Sequence, residues 1–367
     1  MSSGAGASSG DDAVSDFLRG EVDANRIPGA SWWAEEDSGA VSRGAVGWAC
    51  IEPRREDTSE GTAYDLASLT KPLATALLAV ILEEGGEIDL EGAAVTLLPE
   101  LRDSPYAAAS LLDLGAHRAG LPAWKPLYLS ASDLDGYVRL IARTSPAASR
   151  GETLYSDLGY MLLGAAIERT TGERLDSLFE RRVARPLALS GIGFSGPGRF
   201  RHAAATERGN VYESRLAGEP GAAFPWRASI PRGEVHDVNA HVLGGVAGHA
   251  GLFGTAAAVA AVAREMFGGG ALRCSALSRQ RLFCAPKEKG ARSFGFVLAR
   301  DSGAARGVLP DEAPGHTGFT GTSLWLDPAR ARLFVLLTNR VHPQVPIGDF
   351  AETRRGFHLA AARVLGA

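Results

Sequence analysis

The chain has 367 residues, 45% of them hydrophobic and 22% charged, which is enough apolar side chain for a sizeable core and excludes wholesale disorder. Lys+Arg number 38 against 42 Asp+Glu, a formal net charge of −4, which lacks the cationic excess of a nucleic-acid binder. No apolar run reaches the roughly 18 residues of a membrane span. Met1–Asp12 has neither the basic opening nor the apolar stretch of a signal peptide, so a cytoplasmic location is expected. Cys50, Cys274 and Cys284 are odd in number and contain no C-x-x-C pair. They argue for free thiols over a disulfide framework or a cysteine zinc site, the nearest pair, Cys274 and Cys284, being the one candidate bridge.

Residues 1–20, Ser/Gly/Ala-rich at their start, read as a flexible tail, with a short helix setting in over Asp16–Asn25. Ala30–Glu35 and Val41–Ala49 carry β-compatible residues about Asp37-Ser38-Gly39, a hairpin signal. Leu66–Leu82 is helical: Leu69, Leu73, Ala76, Leu77, Val80 and Ile81 repeat at helix spacing, and Gly85-Gly86 stops the run. Helices and loops continue to residue 225, among them Asp157–Thr171 with Gly172 as its stop. Strand patterns return in Ser293–Ala299, Thr317–Leu326 and Ala331–Thr338, the last two joined by the turn Asp327-Pro328-Ala329-Arg330. Phe350–Leu365 closes the chain as a helix. Strands at both ends around a helical insert predict an α+β fold. Its antiparallel sheet, flanked by helices, is assembled from residues 21–75 and 226–367, and a helical domain spans 76–225.

Two pattern matches lack their scaffold. Gly6-Ala7-Ser8-Ser9-Gly10 fits a nucleophile elbow but lies in the tail, and Gly191–Gly196 fits a dinucleotide loop but runs into Pro197-Gly198 where a helix must start. Ser68-Leu69-Thr70-Lys71 is different. A spacing of three puts Ser68 and Lys71 on one helix face near its start, where Pro72 is tolerated. A serine hydroxyl needs a neighbour to take its proton. A desolvated lysine at a helix N-terminus can be neutral enough to help, and the same terminus offers N–H groups to an oxyanion. Tyr155-Ser156-Asp157 precedes a helix, with Tyr155 and Asp157 facing one side in extended chain. A phenol beside a cationic lysine can serve as general base, while capping and packing account for the same residues structurally. His316-Thr317-Gly318-Phe319 opens a late strand, where Gly318 permits close approach and the Phe319 N–H is a second oxyanion donor; the alternative is an edge-strand turn.

In this order the three motifs resemble the serine β-lactamase and penicillin-binding-protein superfamily, in the branch of class C β-lactamases, DD-peptidases and related esterases. Asp65-Leu66-Ala67, His117–Pro122, Gly245–Thr255 and Gly315–Arg340 extend the similarity over residues 20–362. The resemblance implies that Ser68 is the acylated nucleophile, that Lys71 eases its deprotonation, and that Tyr155 carries the proton to the leaving group and later activates water. It implies an oxyanion hole of the Ser68 and Phe319 N–H groups. Asp157, His316, Thr317, Gly318 and Trp124 would bind substrate.

Two departures bear on chemistry. Asp157 stands where the family usually has Asn, which removes an amide donor and favours a protonated Lys71. His316 stands where β-lactamases use a lysine, and a histidine is mostly neutral at pH 7. Both weaken β-lactam hydrolysis and peptidoglycan trimming and leave ester hydrolysis as the easier reaction. His236, Asp237 and His249 invite a metal reading, but no H-E-x-x-H accompanies them. The resemblance makes them a wall of the cleft that orients the groups around Ser68. The sequence thus predicts a serine hydrolase of small esters or amides that needs no cofactor or metal and meets no nucleic acid or membrane span. The alternatives are a D-alanyl-D-alanine carboxypeptidase or β-lactamase acting on peptides or β-lactams, a penicillin-binding sensor that acylates without turnover, and a metal hydrolase. The sequence leaves the oligomeric state open.

Overall fold

The computed structural model describes residues 11–366 except 38, 40, 197, 269, 273 and 347. Strands β1 (Gly29–Glu35), β2 (Val41–Cys50), β3 (Glu56–Asp57), β7 (Val297–Leu298), β8 (Pro314–Thr317), β9 (Ser323–Asp327) and β10 (Arg332–Thr338) form an antiparallel sheet in the order β3-β2-β1-β10-β9-β8-β7. The two ends of the chain therefore meet at its centre, with Trp33 opposite Val335. A smaller sheet has the order β4-β6-β5, from Tyr64–Asp65, Leu252–Gly254 and Ile192–Phe194.

Strand β10 shows why the sheet sits between helices. Leu333, Val335 and Leu337 enter one apolar cluster, and Phe334 and Leu336 the other, so a period of two buries both faces. The second cluster lies under α1 (Asp11–Asp23) and α11 (Ala351–Val364), through Val14, Leu18 and Phe357. Residues 11–20, read as tail, thus belong to a helix whose apolar stripe covers the sheet; residues 1–10 lie outside the described residues. On the other face, α2 (Leu77–Glu84) and α9 (Ala256–Glu265) join one continuous cluster with α4 (Leu134–Ala142), α5 (Asp157–Thr171) and α6 (Leu175–Phe179).

The helix read over 66–82 is not one regular α-helix. A 3₁₀ turn at Ala67–Leu69 is followed by wider π-type turns over Lys71–Ala76, and regular geometry begins at Leu77. Pro72, which donates no N–H and crowds the preceding turn, lies where the irregularity starts. The helical run continues unbroken across residues 75 and 76. Helix α5 has the bounds the sequence gives it: Ser156 caps its start by accepting from the Gly159 N–H, and Gly172 ends it at φ 68°. The stretch Thr317–Leu326, read as one strand, is two strands and a turn. Gly321 at φ 102° reverses the chain and the Gly318 N–H donates to the Thr322 carbonyl at 2.8 Å, so His316-Thr317 ends β8 and Gly318 enters the turn instead of opening a strand. Cys274 is buried and Cys284 exposed, and both are free thiols, so the candidate bridge does not form.

Candidate active site

Ser68 lies in the 3₁₀ turn beneath a cleft of about 510 Å³ that Tyr155, Asp157, His316, Thr317 and Phe319 also line. The preceding residue, Ala67, is held at φ 47°, an unfavourable conformation for a side chain with a Cβ. Its N–H donates to Asp65 Oδ1 at 2.9 Å, and Asp65 Oδ2 accepts the His236 N–H at 2.7 Å.

Lys71 is fully buried, and its ammonium donates two hydrogen bonds and forms one ion pair. Nζ donates to Ser68 Oγ at 3.0 Å and to the His249 carbonyl at 3.1 Å, and pairs with Asp157 Oδ1 at 2.8 Å. Burial alone would push its pKa down, but the charge of Asp157, then that of Tyr155, outweighs it and the pKa rises. The lysine that sequence reasoning takes toward neutrality is therefore a fixed cation, in the direction that its Asp157 neighbour implies.

Tyr155 is positioned by its neighbours on either side. The Ser156 N–H donates to His117 Nδ1 at 3.0 Å, the Ser156 hydroxyl donates to the Pro122 carbonyl at 2.6 Å, and the Asp157 N–H donates to the Ala123 carbonyl at 2.9 Å. The His117 ring packs on Tyr155 with centroids 4.6 Å apart. Since a backbone N–H only donates, neutral His117 carries its proton on Nε2. Burial, then Arg292 and Lys71, hold its pKa well below the usual value. Two cations sit over the phenol ring: Lys71 Nζ at 5.0 Å and the Arg292 guanidinium at 4.8 Å from its centroid.

The turn between β8 and β9 is sewn to the segment before Ser68. Thr320 Oγ1 donates to the Asp65 carbonyl at 2.7 Å and Thr322 Oγ1 to the Leu66 carbonyl at 3.1 Å. Gly318 is required there: a Cβ would lie 2.6 Å from the Leu66 carbonyl oxygen and 2.1 Å from Thr322 Oγ1. Ser68 and Phe319, the two expected oxyanion donors, both reach the cleft, as does Trp124. His316 is buried and its Nδ1 donates to the Thr317 carbonyl at 2.9 Å. Burial, then Arg292 and Lys71, push its pKa well down, so it offers a bare Nε2 with no donor among the described residues.

His236, Asp237 and His249 do not converge on one point. His249 Nε2 meets Asp237 Oδ1 at 2.9 Å, whereas His236 Nε2 meets Glu207 Oε2 at 3.0 Å. No group of three or more His, Cys, Asp or Glu among the described residues is arranged to hold a metal ion. Sequence reasoning misses several groups that line the cleft, among them Arg292, Arg354, Tyr212 and Glu213. Arg292 stands in an ordinary charged loop, Lys287–Arg292, and no ion pair reaches it among the described residues. Glu213 stands on α7 (Val211–Ala217), a helix with no motif to mark it.

Comparison with known proteins gives a consistent picture. Residues 14–355 match the Beta-lactamase family. The chain is 30% identical over 363 residues to an "N-acetylmuramyl-L-alanine amidase" of Bacillus subtilis (strain 168), covering 87% of this chain and 78% of the relative. It is 32% identical over 318 residues to a "Putative D-alanyl-D-alanine carboxypeptidase" of Escherichia coli (strain K12), covering 79% and 71%. Among solved structures, EstCE1, a hydrolase with promiscuous acyltransferase activity, superimposes with TM-score 0.74 at 21% identity over 96% of this chain and 100% of that one. A class C β-lactamase does so with TM-score 0.74 at 17% identity over 98% and 97%.

Proposed function

From the premise that the chain belongs to the β-lactamase family, we propose that it hydrolyses small esters and activated amides through an acyl group carried on Ser68, with Tyr155 as the proton carrier. It is a serine hydrolase of the β-lactamase and penicillin-binding type. The observation that carries the finer reading is the three-acceptor environment of Lys71, at 3.0, 3.1 and 2.8 Å. An ammonium held in this way has no lone pair for the serine. The proton then passes to Tyr155 acting as phenolate, whose negative charge Lys71 and Arg292 hold until the proton neutralises it.

The steps balance as follows. Ser68 Oγ bonds to the substrate carbonyl carbon as its proton moves to the Tyr155 phenolate oxygen, leaving a neutral phenol. The carbonyl oxygen takes the negative charge against the Ser68 and Phe319 N–H groups. Collapse breaks the bond to the leaving group, which takes the proton from Tyr155, and water repeats the cycle on the acyl group. One phenol relaying one proton serves an alkoxide or phenoxide better than an amine, and Asp157 offers no donor to an acylamino carbonyl. Short-chain nitrophenyl esters should therefore turn over faster than a cephalosporin or a D-Ala-D-Ala peptide; faster turnover of the β-lactam would contradict the reading.

A second reading, the carboxypeptidase, is favoured by Arg292. Its cation faces the cleft with no acid partner among the described residues, in the part of the site where His316 leaves the family lysine's charge missing. Two relatives also bear names of peptidoglycan enzymes. If Arg292 holds a terminal carboxylate, Arg292→Gln raises KM about 10-fold for a substrate with a free carboxylate and not for its methyl ester, while any loss of kcat through Tyr155 is common to both. Equal effects on both would discard this reading.

A further inference from the structure

We propose that Asp237 and Glu213 form a subsite for a protonated α-amine, so that the preferred acyl group is an unblocked aminoacyl group. The inference rests on the hydrolase reading above and adds the chemistry of the acyl side. Both carboxylates line the same cleft as Ser68. Asp237 Oδ1 takes both hydrogen bonds that the residue receives, from the Ala240 N–H at 2.7 Å and from His249 Nε2 at 2.9 Å. No donor among the described residues reaches its Oδ2, and the side chain keeps 23% of its surface exposed. Glu213 Oε2 accepts the Val238 N–H at 3.1 Å, which places it beside Asp237 in the chain. Glu213 Oε1 is buried, and the residue as a whole is only 5% exposed. The Tyr128 hydroxyl is buried beside Glu213 and is the side-chain donor that faces this carboxylate, which leaves Asp237 Oδ2 as the open acceptor of the pair.

An ammonium has three donors and answers this open acceptor beside a second carboxylate; a carboxylate or a neutral apolar group does not. The charges agree. Asp237 is ionised, its pKa brought down to about 2 against the burial penalty by His249. Glu213 is pushed well above the usual carboxylate range, by burial and then by Asp237, so the pair shares one negative charge. Arg227 is the cation whose field reaches both acids, but it spends its guanidinium on Asn210 Oδ1 and on the carbonyls of Val235 and His236 and does not line the cleft. An arriving neutral amine takes the Glu213 proton, and an arriving ammonium sends it to solvent. Both end as one ammonium between two carboxylates.

The acyl side follows from the position of the other charge. Arg292 lies on the ring of Tyr155, which hands the proton to the leaving group, so this cation marks the leaving-group end; Arg340 and Arg354 also line the cleft, Arg354 donating to the Gly318 carbonyl. The acidic end is then the acyl end. Exposed apolar rings rim it: Tyr212 packs on Phe319 with centroids 5.1 Å apart, a surface for an aminoacyl side chain.

The test compares alanyl p-nitrophenyl ester with its N-acetyl counterpart, in both enantiomers, on the full chain. The wild type is expected to favour the unblocked ester at least about 10-fold in kcat/KM, and Glu213→Gln to bring that ratio to about 1. Asp237→Asn, which also disturbs a helix cap, should do the same if it folds. Alaninamide and N-acetylalaninamide binding to Ser68→Ala protein by calorimetry should show the same preference without turnover. Equal rates and equal binding for blocked and unblocked forms, or a preference that Glu213→Gln retains, would overturn the subsite. Nitrophenyl acetate, which has no amine, reports separately on the hydrolase reading.

Discussion

Lys71 and Asp157 show how one residue resets the chemistry of a shared scaffold. A buried lysine alone would shed its proton more readily, and the carboxylate at 2.8 Å reverses that. Asp157→Asn therefore lowers the Lys71 pKa and restores an amide donor. We expect its ratio of cephalosporin to nitrophenyl ester turnover to rise by about 10-fold. The sign in pH is fixed: Lys71 in the variant loses its proton as pH rises, so the variant's rate should climb with alkaline pH where the wild type is flat. Parallel pH–rate profiles would show that Asp157 does not govern the lysine. Tyr155→Phe, with His117 still packed on the ring, should lose about 10²-fold or more in kcat while the protein stays folded. The three motifs were legible because S-x-x-K, Tyr-x-Asp and His-Thr-Gly each occupy short stretches of chain. The charge state of Lys71 was legible only in direction, because it depends on which acceptors long-range folding brings to Nζ, the His249 carbonyl among them.

At the scale of elements, the proposed mechanism makes the turn joining β8 to β9 the part that sets the reaction geometry, because Thr320 and Thr322 tie it to the backbone before Ser68. Gly318→Ala should push those segments apart and cut kcat by about 10²-fold, with little loss of secondary structure by circular dichroism, in line with the loss of one oxyanion donor. Wild-type kcat would free the turn of that role. The same turn was misread as continuous strand: Thr317–Leu326 has β-compatible residues throughout, and the reversal rests on the positive φ of Gly321, which composition does not reveal. Helix α5 was read correctly because its cap and stop are local. Helix α11 carries a separate prediction. His358 is fully buried, donating from Nδ1 to the Ala304 carbonyl and facing the Ser323 hydroxyl with Nε2. Burial lowers its pKa to about 4 from 6.5. Between these values the unfolded chain binds the extra proton, so its contribution to stability is present above pH 6.5 and lost as pH falls toward 4. On the order of 2 kcal/mol should disappear between pH 7 and 4.5 in urea unfolding, and His358→Gln should flatten that slope.

Across the whole molecule, the two chain ends close one sheet and the intervening helices share its apolar cluster, so Ser68 is fixed where β8, α5 and the segment before α2 converge. The sheet was foreseeable from β-compatible runs at both ends of the chain. The packing of α1 was not, since its Gly/Ser/Ala-rich surroundings hide the Val14 and Leu18 stripe. Arg292 and Glu213 were invisible to local pattern because only the closed fold turns an ordinary surface-type residue toward the cleft. Identities of 17–21% accompany TM-scores of 0.74, so the architecture tolerates wide change in sequence. The account stands on Ser68 as the acylated atom. Intact-mass and peptide mapping after reaction with a fluorophosphonate should place a single adduct on the peptide carrying Ser68 and none on Ser68→Ala protein; an adduct elsewhere, or one that survives the substitution, would contradict it.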